Sequence, residues 1–357
     1  MTCDFRLVTD LSSFLLVRLG ALGDIVHAIP VAAALRRAFP SARIDWLVSA
    51  KHREILDLVP VVNRRIVVND RQLGGSGQGL HLLAAVAALR KTRYEIAFDL
   101  QGLIKSAMIA RTTGASRVVG FSKKYLREPF ASVFYTDTHD PGGQGIYARS
   151  ETRHVVEINL GLLQAIGLSV AQPEFPIEAV KSDAAGKMLE ATGGRYALLN
   201  PGAAWPNKRW PPDRLASLAS ALRDRHQLMS VILWGPGERE LAQAVVAGAP
   251  GSAVMTPETS IADVVALCRG ASVIVSGDTG PTHIAAAVGT PIVGIYGPTR
   301  PERNGPWRPE DVTVSRASIC ECHHLRKCRR ERMCLLDSEV SEILTAVERR
   351  LQAGRRA

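Results

Sequence analysis

The chain has 357 residues, 46% of them hydrophobic and 22% charged, which excludes wholesale disorder and suits two globular domains better than one. Lys plus Arg number 44 against 34 Asp plus Glu, a formal charge of +10, which favours anionic partners such as phosphates, nucleic acid or an acidic membrane face. Six cysteines are too few for a disulfide-built secreted fold, and no apolar stretch approaches the length of a membrane span.

Apolar, β-branched runs alternate with helical patterns, the signature of βαβ units and a mostly parallel sheet. In the first half, strands are predicted at Ser13–Arg18, Arg43–Ser49, Arg64–Asn69, Ile96–Asp99 and Arg117–Gly120. The run Phe14–Val17 is too short for a signal-peptide core and leads into a Gly-rich turn, so a cytoplasmic protein is expected. A Gly74–Gly79 loop precedes a predicted helix at Leu80–Arg90, whose Leu82, Leu83, Val86 and Leu89 share one face. A long helix is predicted over Glu151–Ile166, and Gln172–Pro176, with two prolines, reads as a linker. In the second half, strands are predicted at Tyr196–Leu199, Met229–Leu233, Ala253–Met255, Val273–Ser276 and Ile292–Ile295. Helices are predicted at Pro212–Arg223, at Ile261–Arg269 and finally over about Asp337–Leu351. The expected fold class is α/β: two doubly wound domains in tandem, residues 1–175 and 176–357. Such sheets bind ligands outside the carboxyl ends of their strands, so the cleft between the domains is the expected site.

Four strand-to-helix turns carry chemistry. After the first strand comes Gly20-Ala-Leu-Gly23-Asp24-Ile-Val-His27, with a helix beginning at or near Asp24. Glycines there allow close backbone approach and a helix start attracts an anion; an N-cap aspartate without catalytic work is the plainer reading. The third glycine of the dinucleotide fingerprint is missing. Asp99-Leu-Gln101-Gly102-Leu-Ile-Lys105-Ser106 follows another strand, and Lys123, Lys124 and Arg127 lie downstream; a solvated face explains such a charge run equally well. Asn200-Pro-Gly-Ala-Ala-Trp-Pro-Asn-Lys208-Arg209-Trp210 sets two cations and two tryptophans on a Pro-rich turn, suited to a phosphate beside a base or sugar, or simply to a rigid surface loop. Glu238, after the next strand, either accepts from ribose hydroxyls or caps a helix. Ser276-Gly277-Asp278-Thr279-Gly280-Pro281-Thr282-His283 offers N–H and hydroxyl donors suited to a diphosphate.

Taken in order with Arg127-Glu-Pro-Phe-Ala-Ser-Val-Phe-Tyr135 and Tyr296-Gly-Pro-Thr299, these segments resemble the lipopolysaccharide heptosyltransferases, glycosyltransferase family 9, over nearly the whole chain. The Arg-Glu-Pro segment is most similar to the heptosyltransferase I subfamily. The resemblance implies the GT-B fold, two Rossmann-like domains facing across a cleft, the first binding acceptor and the second binding nucleotide sugar. It further implies inverting, metal-independent transfer of a heptosyl group from ADP-heptose to a Kdo residue of the lipopolysaccharide inner core, with no cofactor required. By matching position, Asp24 is the general base. Gly23, Lys208, Glu238, Asp278, Thr279, Gly280 and His283 fall on the nucleotide-sugar side, although helix packing is an equal account of His283. Lys105, Lys123 and Arg127 fall on the acceptor side. One departure is Ala203-Ala204, where heptosyltransferase I carries hydroxyl residues.

An acceptor such as Kdo-lipid A is anionic, so a +10 protein is expected at the cytoplasmic face of the inner membrane, held peripherally and released by salt. Cys320, Cys322, Cys328 and Cys334 cluster beside His323 and His324 with a spacing unlike a standard zinc ribbon. A structural metal and a chance group of reduced or paired thiols both fit, and the five cations between Arg326 and Arg332 are expected to lower the thiol pKa values. Rival readings are heptosyltransferase II or another family member, a non-catalytic sugar-nucleotide or lipopolysaccharide-binding protein, and a nicotinamide-dependent oxidoreductase. Nucleic acid is not an expected partner: aromatics are 5% and no recognition module is present.

Overall fold

A computed structural model describes residues 11–68, 89–322, 325–328 and 330–354. The predicted Gly74–Gly79 loop and all but the end of the Leu80–Arg90 helix lie outside them, as do His323, His324 and Arg329. The chain divides into two compact units, Met1–Glu178 and Ala179–Ala357.

The first unit holds β1 (Ser13–Val17), β2 (Arg43–Ser49), β3 (Arg64–Val68), β4 (Ile96–Asp99), β5 (Arg117–Phe121) and β6 (Asp137–His139), in the order β3-β2-β1-β4-β5-β6. Every pairing is parallel. The second unit holds β7 (Tyr196–Asn200), β8 (Met229–Ile232), β9 (Ala253–Met255), β10 (Val273–Gly277), β11 (Ile292–Tyr296) and β12 (Val312–Ser315). Its order, β12-β11-β10-β7-β8-β9, repeats the first arrangement, again all parallel. Parallel strands covered by helices on both faces read as continuous apolar runs, which is why Phe14–Val17, Ile96–Phe98, Val273–Val275 and Ile292–Tyr296 are buried without alternation.

In each unit the strand order reverses between two neighbours, β1 and β4 in the first, β7 and β10 in the second. Parallel register sets Val17 beside Asp99, and Asn200 beside Ser276. The turns leaving those strand pairs therefore open side by side at a topological switch point, where doubly wound sheets bind ligands. Four of the turns singled out in the sequence are these turns.

The helices differ in places from the pattern. The first runs Leu22–Ala38, so Asp24 is its third residue and not its N-cap. The predicted Glu151–Ile166 helix is shorter and changes pitch: it begins at Val155 and tightens to a 3₁₀ turn over Leu162–Ile166. Glu151 is instead a buried carboxylate in the preceding loop. Its oxygens accept from the backbone N–H groups of Gln144 (2.8 Å), Gly145 (3.0 Å) and Arg153 (2.9 Å) and from the Tyr125 hydroxyl. The last helix starts at Val340 and packs Ile343, Leu344 and Val347 into the core of the second unit. It is anchored where Arg350 Nε donates to buried Asp311 Oδ1 at 2.7 Å.

Burial by itself would raise the Glu151 pKa, but the Tyr125 hydroxyl and three N–H donors outweigh it and hold the carboxyl at about 2. A group depressed in the folded state stabilises the fold above its unfolded pKa of about 4.5 and loses that contribution as pH falls through about 2. Glu151→Gln is accordingly expected to melt lower than the wild type at pH 7, with the gap narrowing on acidification through that window in a thermal denaturation series.

Candidate active site

At the first switch point the chain builds a carboxylate held by backbone and cation. The Ala21 N–H donates to Asp24 Oδ2 at 3.0 Å, and Arg18 Nη2 lies 2.9 Å from Asp24 Oδ1. Arg18 is mostly buried at 14% side-chain exposure, whereas the Asp24 side chain keeps 40%, so the carboxylate is fixed yet reachable from solvent. The same guanidinium donates to the Leu100 carbonyl, tying the Asp24 turn to the turn after β4. Gln101 makes a second tie, its Oε1 accepting from the Leu19 N–H at 2.7 Å. Beneath them Asp99, fully buried, accepts from the Gln101 and Gly102 N–H groups, Ser106 Oγ (2.9 Å) and the Tyr135 hydroxyl (2.8 Å). Burial pushes its pKa up against those hydrogen bonds, and its partners mark it as the girder of the turn. Gly23 is half-buried in the first helical turn.

Lys105 is half-buried in the first turn of the helix Ile104–Thr112. Glu128 Oε2 accepts from the Ile104 N–H at 2.7 Å, which brings the Arg127-Glu128-Pro129 segment to the start of that helix. Arg127 and Lys123 are exposed. Lys124 pairs with Asp140 at 3.0 Å.

At the second switch point the centre is Asp278, which is buried. Its Oδ2 is 2.6 Å from Lys208 Nζ and accepts a longer bond from Asn304 Nδ2 (3.4 Å), while Oδ1 is 3.0 Å from His283 Nε2. Burial would raise the Asp278 pKa, but the His283 hydrogen bond and the Lys208 charge hold it well below the usual carboxylate range. Hydroxyls line the same corner. Asn200 Nδ2 donates to Ser276 Oγ and Thr279 Oγ1, both at 3.0 Å, and Thr282 Oγ1 donates to the Gly277 carbonyl at 2.5 Å. Gly280 opens the helix Gly280–Val288 with Pro281 behind it, so this turn ends at a helix start, where backbone N–H groups lack intrahelical partners. Two glycines are demanded by close approach. A Cβ on Gly277 would stand 2.8 Å from the Lys208 carbonyl, and one on Gly202 would stand 2.0 Å from Glu238 Oε2. Glu238 thus lies over the turn after β7; it occupies the N-cap position of the next helix, but its side chain turns back to accept from the Gly235 N–H at 3.1 Å.

The two tryptophans of the Pro-rich turn part company. Trp205 is half-buried, with Lys208 Nζ 4.4 Å from its ring centroid. Trp210, which the sequence left open between a ligand contact and a rigid surface loop, is buried in the core and donates to the Ser338 carbonyl at 3.1 Å. Arg209 is likewise structural, its Nε donating to the Ala203 carbonyl at 2.9 Å. Two residues of the site beyond those expected from the sequence are Arg18 and Asn304, neither of which lies in a glycine-rich run. For Arg18 the available signal was a cation at the carboxyl end of a central strand.

Residues 82–333 match the profile of glycosyltransferase family 9 (heptosyltransferase), more than half of the chain. The chain belongs to glycosyltransferase family 9. Among its relatives, lipopolysaccharide heptosyltransferase 1 of Pseudomonas aeruginosa is 29% identical over 317 residues, 86% of this chain and 84% of the relative. Lipopolysaccharide heptosyltransferase 1 of Escherichia coli K12 is 28% identical over 291 residues, 80% and 88% of the two chains. The structure of E. coli heptosyltransferase WaaC with ADP superposes with a TM-score of 0.75 at 24% identity, covering 95% of this chain and 99% of that one. A family 9 glycosyltransferase from Veillonella parvula gives 0.78 at 21% identity, covering 96% and 98%. These likenesses place both units in the GT-B class of α/β fold.

One further cluster of this family 9 chain lies after β12. Cys320, Cys322 and Cys334 are buried together with Cys328 packed against them, none of them in a disulfide. The lowered thiol pKa values expected from the neighbouring cations are not what the fold produces. Burial is the largest cause at Cys320, Cys328 and Cys334 and pushes all three thiols up, because desolvation of a thiolate outweighs the lowering by hydrogen bonds and, at Cys334, by the Arg330 charge. Thiols are soft donors suited to zinc or iron, but among the described residues no group of three or more His, Cys, Asp or Glu is arranged to hold a metal ion.

Proposed function

We propose that the chain is an inverting heptosyltransferase that moves L-glycero-D-manno-heptose from ADP-heptose to a Kdo residue of the lipopolysaccharide inner core. The observation that carries this reading is the division of chemistry between the two switch points. One offers a fixed, solvent-reachable carboxylate at Asp24, the other a corner of cation, hydroxyl and helix-start N–H groups around Lys208, Thr279 and Gly280. The relatives support the substrates: they are lipopolysaccharide heptosyltransferases, and the WaaC structure is a complex with ADP.

In the proposed reaction the Asp24 carboxylate takes the proton of the acceptor hydroxyl as its oxygen attacks the anomeric carbon, and the sugar–phosphate bond breaks on the opposite face. An aspartate is a weak base at neutral pH, so its contribution comes from placement and from a proton that acidifies only as the bond forms. Inversion requires base and diphosphate to flank the anomeric carbon. The charge that grows on the leaving diphosphate is met by Lys208 and by the N–H and hydroxyl groups of Asp278-Thr279-Gly280, without a metal. Glu238 is assigned to the ribose hydroxyls, and His283 holds Asp278 beside the diphosphate. Lys105, Lys123 and Arg127 are assigned to the anionic acceptor, and the enzyme to the cytoplasmic face of the inner membrane.

Incubation with ADP-heptose and a Kdo-lipid A acceptor, read by mass spectrometry, is expected to show one added heptose. Donor binding with no mass gain on any Kdo acceptor would overturn the reading in favour of a non-catalytic binding protein. Arg18 acts here as a positioning residue. Arg18→Gln is expected to lower kcat about tenfold through a misplaced carboxylate while leaving ADP affinity unchanged, and Arg18→Lys to restore part of the loss.

A further inference from the structure

The 3₁₀ turn Pro129–Phe134 displays large apolar side chains to solvent, the Phe130 ring meeting Phe134 edge-on with 6.4 Å between centroids. In a 3₁₀ helix residues three apart eclipse one another, so Phe130 and Val133 project on the same side. They are 63% and 58% exposed, the two highest values among the exposed large hydrophobic side chains of the described residues. The turn is not loosely held. Ala131 is fully buried, Ser132 Oγ donates to the Pro129 carbonyl at 2.9 Å, and the turn packs against both the helix Ile104–Thr112 and the 3₁₀ turn Lys123–Tyr125. An ordered base that pushes two large apolar groups into water marks an interaction surface.

The charges beside it are of one sign. Arg127 lies three residues before Phe130, and Lys123 stands on the adjoining turn; both are exposed and neither pairs with an acid among the described residues. The nearby acids are engaged: Glu128 with the Ile104 N–H, Asp140 with Lys124, Asp137 with Arg117. Among the described residues no helix is long and apolar enough to cross a membrane. Apolar tips beside two exposed cations match the boundary between acyl chains and anionic headgroups.

We propose that Phe130 and Val133 dip into an anionic bilayer surface, with Lys123 and Arg127 on its headgroup phosphates. This deepens the reading above, in which a lipid-borne acceptor is used at a membrane, and it adds an apolar anchor to what charge alone provides. Because Lys105 and the Arg127-Glu128-Pro129 segment share this corner of the first unit, the same anchor would hold the assigned acceptor residues at the headgroup level.

The test is sedimentation of the full chain with vesicles of phosphatidylglycerol and phosphatidylethanolamine, and with vesicles of phosphatidylcholine alone, across a salt series. The wild type is expected to prefer the anionic vesicles and to keep a salt-resistant bound fraction. Phe130→Ser/Val133→Ser is expected to lower the partition coefficient roughly tenfold or more and to remove the salt-resistant fraction. Both side chains face solvent, so thermal melting and ADP affinity should be unchanged in that variant. As a second measurement, Phe130→Trp should gain fluorescence quenching by brominated acyl chains beyond that of the wild type. Wild-type partitioning by the double variant, or no added quenching of the tryptophan, would overturn the proposal. So would a change in self-association by light scattering with vesicle binding intact, which would assign the surface to a protein partner. None of these readouts uses a sugar donor or acceptor, so failure of heptosyl transfer and failure of the anchor are separately visible.

Discussion

Asp24→Ala is expected to lower kcat for heptosyl transfer by about 100- to 10,000-fold, the range that a positioned general base contributes, with ADP affinity unchanged by calorimetry. The separation follows from the fold: Asp24 sits in the first helix of the first unit, whereas Lys208, Asp278 and Thr279 belong to the second. The carboxylate also accepts the Ala21 N–H and pairs with Arg18, so alanine removes a local stabilising contact as well as a base. Asp24→Asn separates the two effects. It keeps an oxygen for the Ala21 N–H but has no basic lone pair to offer, and it should be as inactive as alanine while melting closer to the wild type. Lost ADP binding with turnover preserved would remove Asp24 from the role of base.

Lys208→Ala is expected to reduce kcat/KM for the donor by roughly 5- to 150-fold, the 1–3 kcal/mol carried by a charge-assisted hydrogen bond. If only acceptor kinetics change, Lys208 serves the other substrate. Stability should fall too, because the substitution leaves the buried Asp278 carboxylate with only His283 and the longer Asn304 bond. The sign of its pH dependence is fixed by the direction of the Asp278 shift. A carboxyl held well below 3.8 in the folded chain stabilises it at neutral pH, and that contribution is lost as pH falls toward the folded value. The melting-temperature gap between Lys208→Ala and wild type should therefore be full at pH 7 and begin to close only below about pH 4.

Much of the fold and of this site could be read along the chain. Strands buried on both faces announce themselves as unbroken apolar runs, so those at the centre of each sheet fall where the pattern places them. The strands it misses are edges: Asp137–His139 is polar throughout and Val312–Ser315 is a short half-exposed run. The helix expected from Glu151 fails for a related reason. Residues 151–154 are all polar and carry no apolar spacing, and a buried carboxylate gathering three backbone N–H groups fixes the chain there in a non-helical path.

The residues assigned to chemistry were legible because a doubly wound sheet brings its strand-end turns to one rim, and Gly, Asp, Thr and Lys at such turns stand out locally. What each of them touches was not legible. Lys208 and Asp278 are 70 positions apart, Glu238 meets the turn at Gly202, and Trp205 and Trp210 divide between site and core within five residues. Composition and periodicity determined the class of fold, the tandem arrangement and the list of reactive side chains, since these depend on neighbours along the chain. Partners, protonation and access were decided by tertiary packing alone, because hydrogen bonding and desolvation depend on which distant segments close around a group.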